Sequence, residues 1–410
     1  MPDRDWNLYT QFRKQYAANV HKELLSTETG RSYTFDEIDK ESARLARFLS
    51  ELGLDVGDRV SVQVEKSPEA LCLYLACLRG GFVFHPMNPA YQARELGYFL
   101  SSAEPKLVVC DSGAESMICP LAKAAGVAHL FTLDAEGEGS LVEASRDSPR
   151  DFGIVPRGED DLAALLYSSG TTGVPKGIML THRNLLANTE ALVATWGFTS
   201  GDRLLHTLPI FHVHGLFVAV GCVMLGGASM RWLSSFNTGQ TIRFLPECTV
   251  MMGVPTYYTR LLTEDGLSAE TCSNMRVFIS GSAPLLEETF YAFEARTGHR
   301  ILERYGMTET NMNTSNPLNG ERKPGAVGLP LPGVEVRVTD DSGGVLPRGE
   351  IGNLQVRGPN VFVGYWKMPE KTAEDFTKDG FFNTGDKGQI DDDGYVSIVG
   401  RAKDVVITGG

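Results

Sequence analysis

Ser168–Gly177 reads Ser-Ser-Gly-Thr-Thr-Gly-Val-Pro-Lys-Gly and directly follows the apolar run Leu162–Leu166. Gly170 and Gly173 let backbone amides approach an anion closely. The hydroxyls of Ser168, Ser169, Thr171 and Thr172 donate hydrogen bonds, and Lys176 adds a compact positive charge. Such a loop suits the wrapping of a polyphosphate. The spacing is not that of the P-loop kinases, whose lysine follows a glycine and precedes Ser or Thr, because Lys176 lies between Pro175 and Gly177. By composition alone the loop fits a solvated turn equally well.

Outward from the loop, the pattern alternates between strand and helix. Thr34-Phe35-Asp36-Glu37 has the form of a capping box, and Ile38, Leu45, Leu49 and Leu52 recur at helical spacing until Gly53. Arg59–Val64 alternates like a strand, Glu69–Leu78 reads as a helix, Lys106–Cys110 is a short apolar run, and His182–Trp196 reads as the helix after the loop. This predicts an α/β fold with layers around largely parallel sheets. After Gly325 short β-rich runs such as Val334–Val338 and Leu354–Val356 are separated by glycine and proline, predicting a small distorted β-barrel. The expected divisions are residues 1–161 and 162–324 as two α/β subdomains, with Pro156–Asp161 as a surface linker, 325–399 as the barrel-like part, and 400–410 as a hinge motif.

At 410 residues and 42% hydrophobic composition the chain buries a large core, and its net charge of −13 argues against nucleic acid or an anionic membrane as partner. Anionic substrates then require a locally basic pocket. The seven cysteines show no CxxC pair, as expected of free thiols in a reducing compartment. Met1–Trp6 is polar and has no signal-peptide core. Leu216–Leu225 is about half the roughly 20 residues a membrane span needs and reads as a buried helix. A cytoplasmic protein with no membrane association is expected.

The string Ser-Gly-Thr-Thr-Gly-Val-Pro-Lys-Gly resembles the signature loop of the adenylate-forming enzymes. Gly281-Ser282-Ala283-Pro284, Arg304-Tyr305-Gly306-Met307-Thr308-Glu309, Gly385-Asp386 and Gly400-Arg401-Ala402-Lys403-Asp404 follow in the order of that superfamily's nucleotide motifs. The chain resembles an AMP-forming acyl-CoA synthetase from about Tyr33 onward. The resemblance implies a large adenylation domain, ATP and CoA as co-substrates, and Mg2+.

It also implies residue roles. Thr171, Thr172 and Lys176 would contact the β- and γ-phosphates, Thr308 the α-phosphate, and Glu309 the magnesium ion. Ser168, Ser169, Gly170, Gly173, Ser282, Ala283, Pro284, Arg304 and Gly306 would complete the nucleotide site. Tyr305 would offer an aromatic face to adenine, Asp386 would accept from the ribose hydroxyls, and Arg401 would reach ribose or phosphate. Read singly, each also fits an ordinary structural place: a core tyrosine, a turn aspartate, a surface arginine.

The acid is read from the segments between these motifs. Thr207–Gly215 would enter the acyl pocket, and Val254–Arg260 starts a helix that carries an arginine one turn in. A fatty-acid pocket would be uniformly apolar, since an unpaired buried guanidinium is costly. Together with Ile279–Ala283 and Asn311–Thr314, this resembles the malonyl-CoA and methylmalonyl-CoA synthetases. By that resemblance Arg260 would pair with the distal carboxylate of a small dicarboxylic acid. Thr207, His212, Ser282 and Met307 would line the acyl group, with Thr207 and Met307 as candidates for limiting space at its α-carbon. Core packing and a solvent-facing Arg260 are the plain alternatives.

The sequence ends at Gly409-Gly410, within the motif that in this family leads to a C-terminal lid carrying a catalytic lysine. The expectation for the chain by itself is therefore nucleotide and acid binding with slow adenylation and almost no thioester formation. A ligase for another acid, and a nucleotide-binding protein without ligase activity, are the competing readings.

Overall fold

A computed structural model of the chain describes residues 5–168 and 174–401. The expected loop residues Ser169, Gly170, Thr171, Thr172 and Gly173 lie outside that description, as do 402–410 of the hinge motif. The fold is α/β, with two large sheets and one small one.

The larger sheet has nine strands. Its parallel centre runs through Leu302–Met307, Val277–Ser280, Val250–Gly253, Arg203–His206, Ser229–Trp232 and Glu23–Thr27, with antiparallel edges. In the seven-stranded sheet Leu162–Ser168, Val83–Pro86, Arg59–Gln63, Leu107–Cys110 and His129–Thr132 run parallel. Helices cover parallel strands on both faces, which is why Val250–Gly253, Val277–Ser280 and Leu107–Cys110 are buried throughout and, Ser280 apart, free of polar side chains instead of alternating. Lys176–Thr181 returns antiparallel to Leu162–Ser168 and sets Ser168 opposite Lys176 at the mouth of the loop. The β-rich stretch after Gly325 pairs Glu335–Thr339, Gly352–Arg357, Phe382–Ile390 and Val396–Arg401 into a four-stranded antiparallel sheet.

Local signals account for the helices. Phe35–Glu51 begins with a capping box, in which Thr34 Oγ1 accepts from the Glu37 amide at 3.2 Å and the Glu37 carboxylate accepts from the Thr34 amide at 2.7 Å. It buries Ile38, Leu45 and Leu49 and stops where Gly53 takes φ 83°. Pro68–Gly80 starts on proline behind the Ser67 cap and ends at Gly81 with φ 72°. Leu216–Leu225 is helical and mostly buried, but winds as a π-helix over His214–Val220 before the α-helix Gly221–Gly226. All seven cysteines are unpaired, six of them buried. Among the described residues no helix is long and apolar enough to cross a membrane.

The carboxyl ends of the parallel strands meet along one crevice, where α/β sheets bind ligands. Glu303 lies beside it at 5% exposure, accepting from the Leu285 amide at 3.0 Å, and burial pushes its carboxyl from 4.5 up to about 7. Between those pH values the folded chain keeps a proton that the unfolded chain has released. That stabilisation is complete below about pH 4.5 and disappears as pH rises to 7, an effect on the order of 3 kcal/mol. Glu303→Gln is expected to gain stability relative to the parent between pH 5 and pH 8 in urea unfolding. An offset that is the same at both pH values would refute this. Thr34→Ala, which removes the capping box, should cost about 1 kcal/mol in the same measurement.

Candidate active site

A cleft of about 800 Å³ opens at the strand ends. Strand Leu162–Ser168 delivers Ser168, the returning strand delivers Lys176, and the hairpin of Leu302–Met307 with Asn311–Ser315 delivers Arg304, Gly306, Met307, Thr308 and Glu309. His212 comes from the loop after Arg203–His206, His214 from the start of the π-helix His214–Val220, Ser282 from the end of Val277–Ser280, and Arg401 from the small sheet. Expected residues far apart in sequence thus share one cavity.

Charge is concentrated at its two ends. Near Ser168, Lys176 Nζ lies 4.4 Å above the Tyr365 ring, 3.4 Å from its hydroxyl and 3.8 Å from Asp375 Oδ2. Glu309 is buried on the same side, and desolvation raises its carboxyl above the usual range against the pull of Lys176 and Arg401. Among the described residues no cation forms an ion pair with it. A buried carboxylate facing a cleft with no ion-pair partner among the described residues suits a divalent cation, so Glu309 fits the magnesium role expected from sequence.

At the other end, beside Ser282, Arg304 is 2% exposed and its Nε and Nη2 have no hydrogen-bond partner. Burial brings its guanidinium down to about 10, and no carboxylate among the described residues pairs with it. His214 stands nearby. Its Nδ1 lies 3.4 Å from Ser282 Oγ, its Nε2 is unpartnered, and burial and then Arg304 hold it well below the ordinary histidine range. At the small sheet the Tyr305 hydroxyl donates to Asp386 Oδ2, and Arg401 Nε lies 3.0 Å from Asp386 Oδ1. Asp386 is buried, and desolvation raises its carboxyl.

Among the described residues, six expected ones stand apart from the cleft lining: Tyr305 and Asp386, which pair with each other beside it, and Thr207, Arg260, Ala283 and Pro284. Thr207 is 1% exposed and faces a neighbouring chamber of about 230 Å³, its hydroxyl without a partner. Arg260 is exposed, with its guanidinium 5.0 Å from the centre of the Phe236 ring, which stacks at 3.8 Å on Tyr257; Tyr257, not Arg260, reaches the cleft. Ala283 and Pro284 lie exposed beside Ser282.

Sequence reasoning missed Lys66, Tyr365, Lys371 and Asp375, which carry no motif. Lys66 Nζ is buried and donates at 2.8 Å to both His206 Nδ1 and the His206 carbonyl. His206 Nε2 lies 2.9 Å from the Gly215 carbonyl, which only accepts, so the proton sits on Nε2 and Nδ1 receives Lys66. Desolvation and then Lys66 keep His206 neutral. This strut ties the end of the seven-stranded sheet to the loop that carries His212 and to the π-helix that begins at His214. Gly215 belongs to it for space, since a Cβ there would stand 1.9 Å from the Pro209 carbonyl oxygen.

The family model described as AMP-binding enzyme matches residues 12–366. The chain is 32% identical to a malonate–CoA ligase of Arabidopsis thaliana, across 96% of this chain and 70% of that protein. It is 35% identical to a sulfoacetate–CoA ligase of Cupriavidus necator, across 94% and 76%. Among solved structures, ATP-bound MatB of Rhodopseudomonas palustris superposes with a TM-score of 0.97 at 51% identity, covering 99% of this chain and 81% of that one. With Ser168, Lys176, Ser282, Arg304, Thr308, Glu309 and Arg401 gathered around one cleft and this match over most of its length, the chain belongs to the AMP-binding enzymes as an adenylate-forming acid–CoA ligase, a class that works with ATP, Mg2+ and CoA.

Proposed function

We propose that the acid is a short dicarboxylic acid, malonate or methylmalonate, and that Arg304 holds its distal carboxylate. The observation that carries this is a guanidinium from a residue lining the cleft that is buried, leaves Nε and Nη2 without a partner, and has no acid to pair with it among the described residues. An uncompensated buried charge is expensive, and a planar two-pronged donor matches a carboxylate. The malonate–CoA ligase relative supports the same reading. Arg260, the sequence-based candidate, lies outside the cleft lining and takes second place.

The reacting carboxyl has an ordinary pKa of about 4 and is ionised at neutral pH, so no general base is required. Its oxygen attacks the α-phosphorus of ATP, the bond to the pyrophosphate oxygen breaks, and acyl-AMP and pyrophosphate result. The CoA thiol then attacks the acyl carbon, loses its proton, and AMP leaves with the electron pair. Lys176, Thr308 and the loop at 168–173 would hold the phosphates, and Ser282, with His212 and Met307, the acyl group. Asp386, already shared by Tyr305 and Arg401, would face the ribose. Magnesium, held through Glu309, would neutralise phosphate charge.

Arg304→Gln should lower kcat/KM for malonate about 100-fold in ATP–pyrophosphate exchange and change butyrate less than tenfold, because only malonate loses a charge partner. Arg260→Ala should affect malonate less. Equal losses for both acids in Arg304→Gln would remove Arg304 from the distal carboxylate, and a larger loss in Arg260→Ala would return that role to Arg260.

A further inference from the structure

Two lysines share one carboxylate at the Ser168 end of the cleft. Asp375 closes the helix Pro369–Asp375, its Oδ1 taking Lys371 Nζ at 2.7 Å from one turn earlier and its Oδ2 lying 3.8 Å from Lys176 Nζ. Lys176, Lys371, Asp375, Tyr365 and Glu309 all line the cleft. The two lysines and the two carboxylates of Glu309 and Asp375 cancel in formal charge, so these side chains together offer a polyphosphate no surplus positive charge. Asp375 occupies, at Lys176, the position of an anion. Lys371 has one further acid, Glu374 at 3.2 Å, whose side chain is 69% exposed.

We infer that Asp375 is a stand-in for phosphate, holding Lys176 and Lys371 until the triphosphate displaces it, and that Lys371 then becomes a second phosphate-binding cation. The inference rests on reading this cleft as the nucleotide site. The backbone is anchored for such an exchange. Phe376, next in the chain, packs on Phe362 and Phe382 with ring centres 5.6 and 5.4 Å away, so the carboxylate leaves by side-chain rotation while the helix stays in place. Lysine suits the task, as a point charge on a flexible stem that reaches a new oxygen without fixed geometry. With Lys371 34% and Asp375 20% exposed, the displaced ion pair keeps contact with solvent, which screens it and lets it yield to a polyanion.

The discriminating ligands are ATP, which carries β- and γ-phosphates, and AMP, which does not. In calorimetric titrations of the full chain, Lys371→Ala should weaken ATP about fivefold to tenfold and leave AMP within twofold. Asp375→Asn should tighten ATP severalfold in EDTA, with AMP again unchanged. Parent-like ATP binding by Lys371→Ala, or an equal loss of AMP, overturns the inference. So does an Asp375→Asn variant that weakens ATP only when Mg2+ is present, because the carboxylate would then be a metal ligand. Failure of the parent protein to bind either nucleotide would remove the nucleotide site itself, whereas parent binding with indifferent variants removes only the stand-in.

Discussion

Arg304 places a full positive charge where water cannot solvate it, and the architecture around the cleft is organised to keep it there. A chain with net charge −13 repels anions at long range, so each anion it binds needs a cation held close and unable to swing into solvent. For Arg304 the room comes from Gly281, where a Cβ would stand 2.5 Å from the guanidinium carbon. Ser282 follows in the left-handed region at φ 71°, which turns the chain away from the guanidinium and leaves its own hydroxyl near His214. His214, kept neutral by burial and by Arg304 itself, adds no competing charge. Pairing is left to whatever enters the cleft.

The same economy of space shapes the hairpin that bears most of the site. Gly306 lies against Asn311, where a Cβ would be 1.9 Å from the carbonyl oxygen, and Asn311 itself takes φ 51°. The register slips between Tyr305 and Gly306. A bulge of this kind re-aims side chains, and here Tyr305 turns toward Asp386 and the small sheet while Met307, Thr308 and Glu309 meet the cleft. One short run of sequence therefore supplies several residues of the cleft wall and the contact with the small sheet.

What the sequence made legible is local. Capping at Thr34, proline at the start of Pro68–Gly80 and the apolar run before Ser168 each act over a few residues, and the elements form where those signals lie. Motif residues were legible for the same reason, since Lys176, Arg304 and Glu309 stand in strings that one hairpin or one strand end keeps together. Long-range pairing was not. Glu23–Thr27 joins the nine-stranded sheet and Leu162–Ser168 the seven-stranded one, a choice set by partners hundreds of residues away in part. Arg260 illustrates the limit: its place one helical turn in is plain from sequence, but which side of Phe236 it takes depends on a ring stack between distant segments. Lys66 and Asp375 have no motif at all, and their meaning appears only when His206 or Lys176 is found beside them.

On the proposed reaction, arginine and lysine divide the work by what must stay and what must leave. The distal carboxylate remains with the acyl group from acid to adenylate to thioester, so a rigid, buried fork fixed by Gly281 and Ser282 keeps the reacting carboxyl aimed through both steps. The β- and γ-phosphates depart together as pyrophosphate, and a rigid grip on them would hinder release. Lys176 and Lys371 sit on flexible stems with Asp375 ready to take them back, so the charge that neutralises the triphosphate has an intramolecular anion to return to once pyrophosphate has gone. Exchanging the two residue types would oppose both needs: a lysine at 304 would lose the fork, and an arginine at 176 would hold the leaving group.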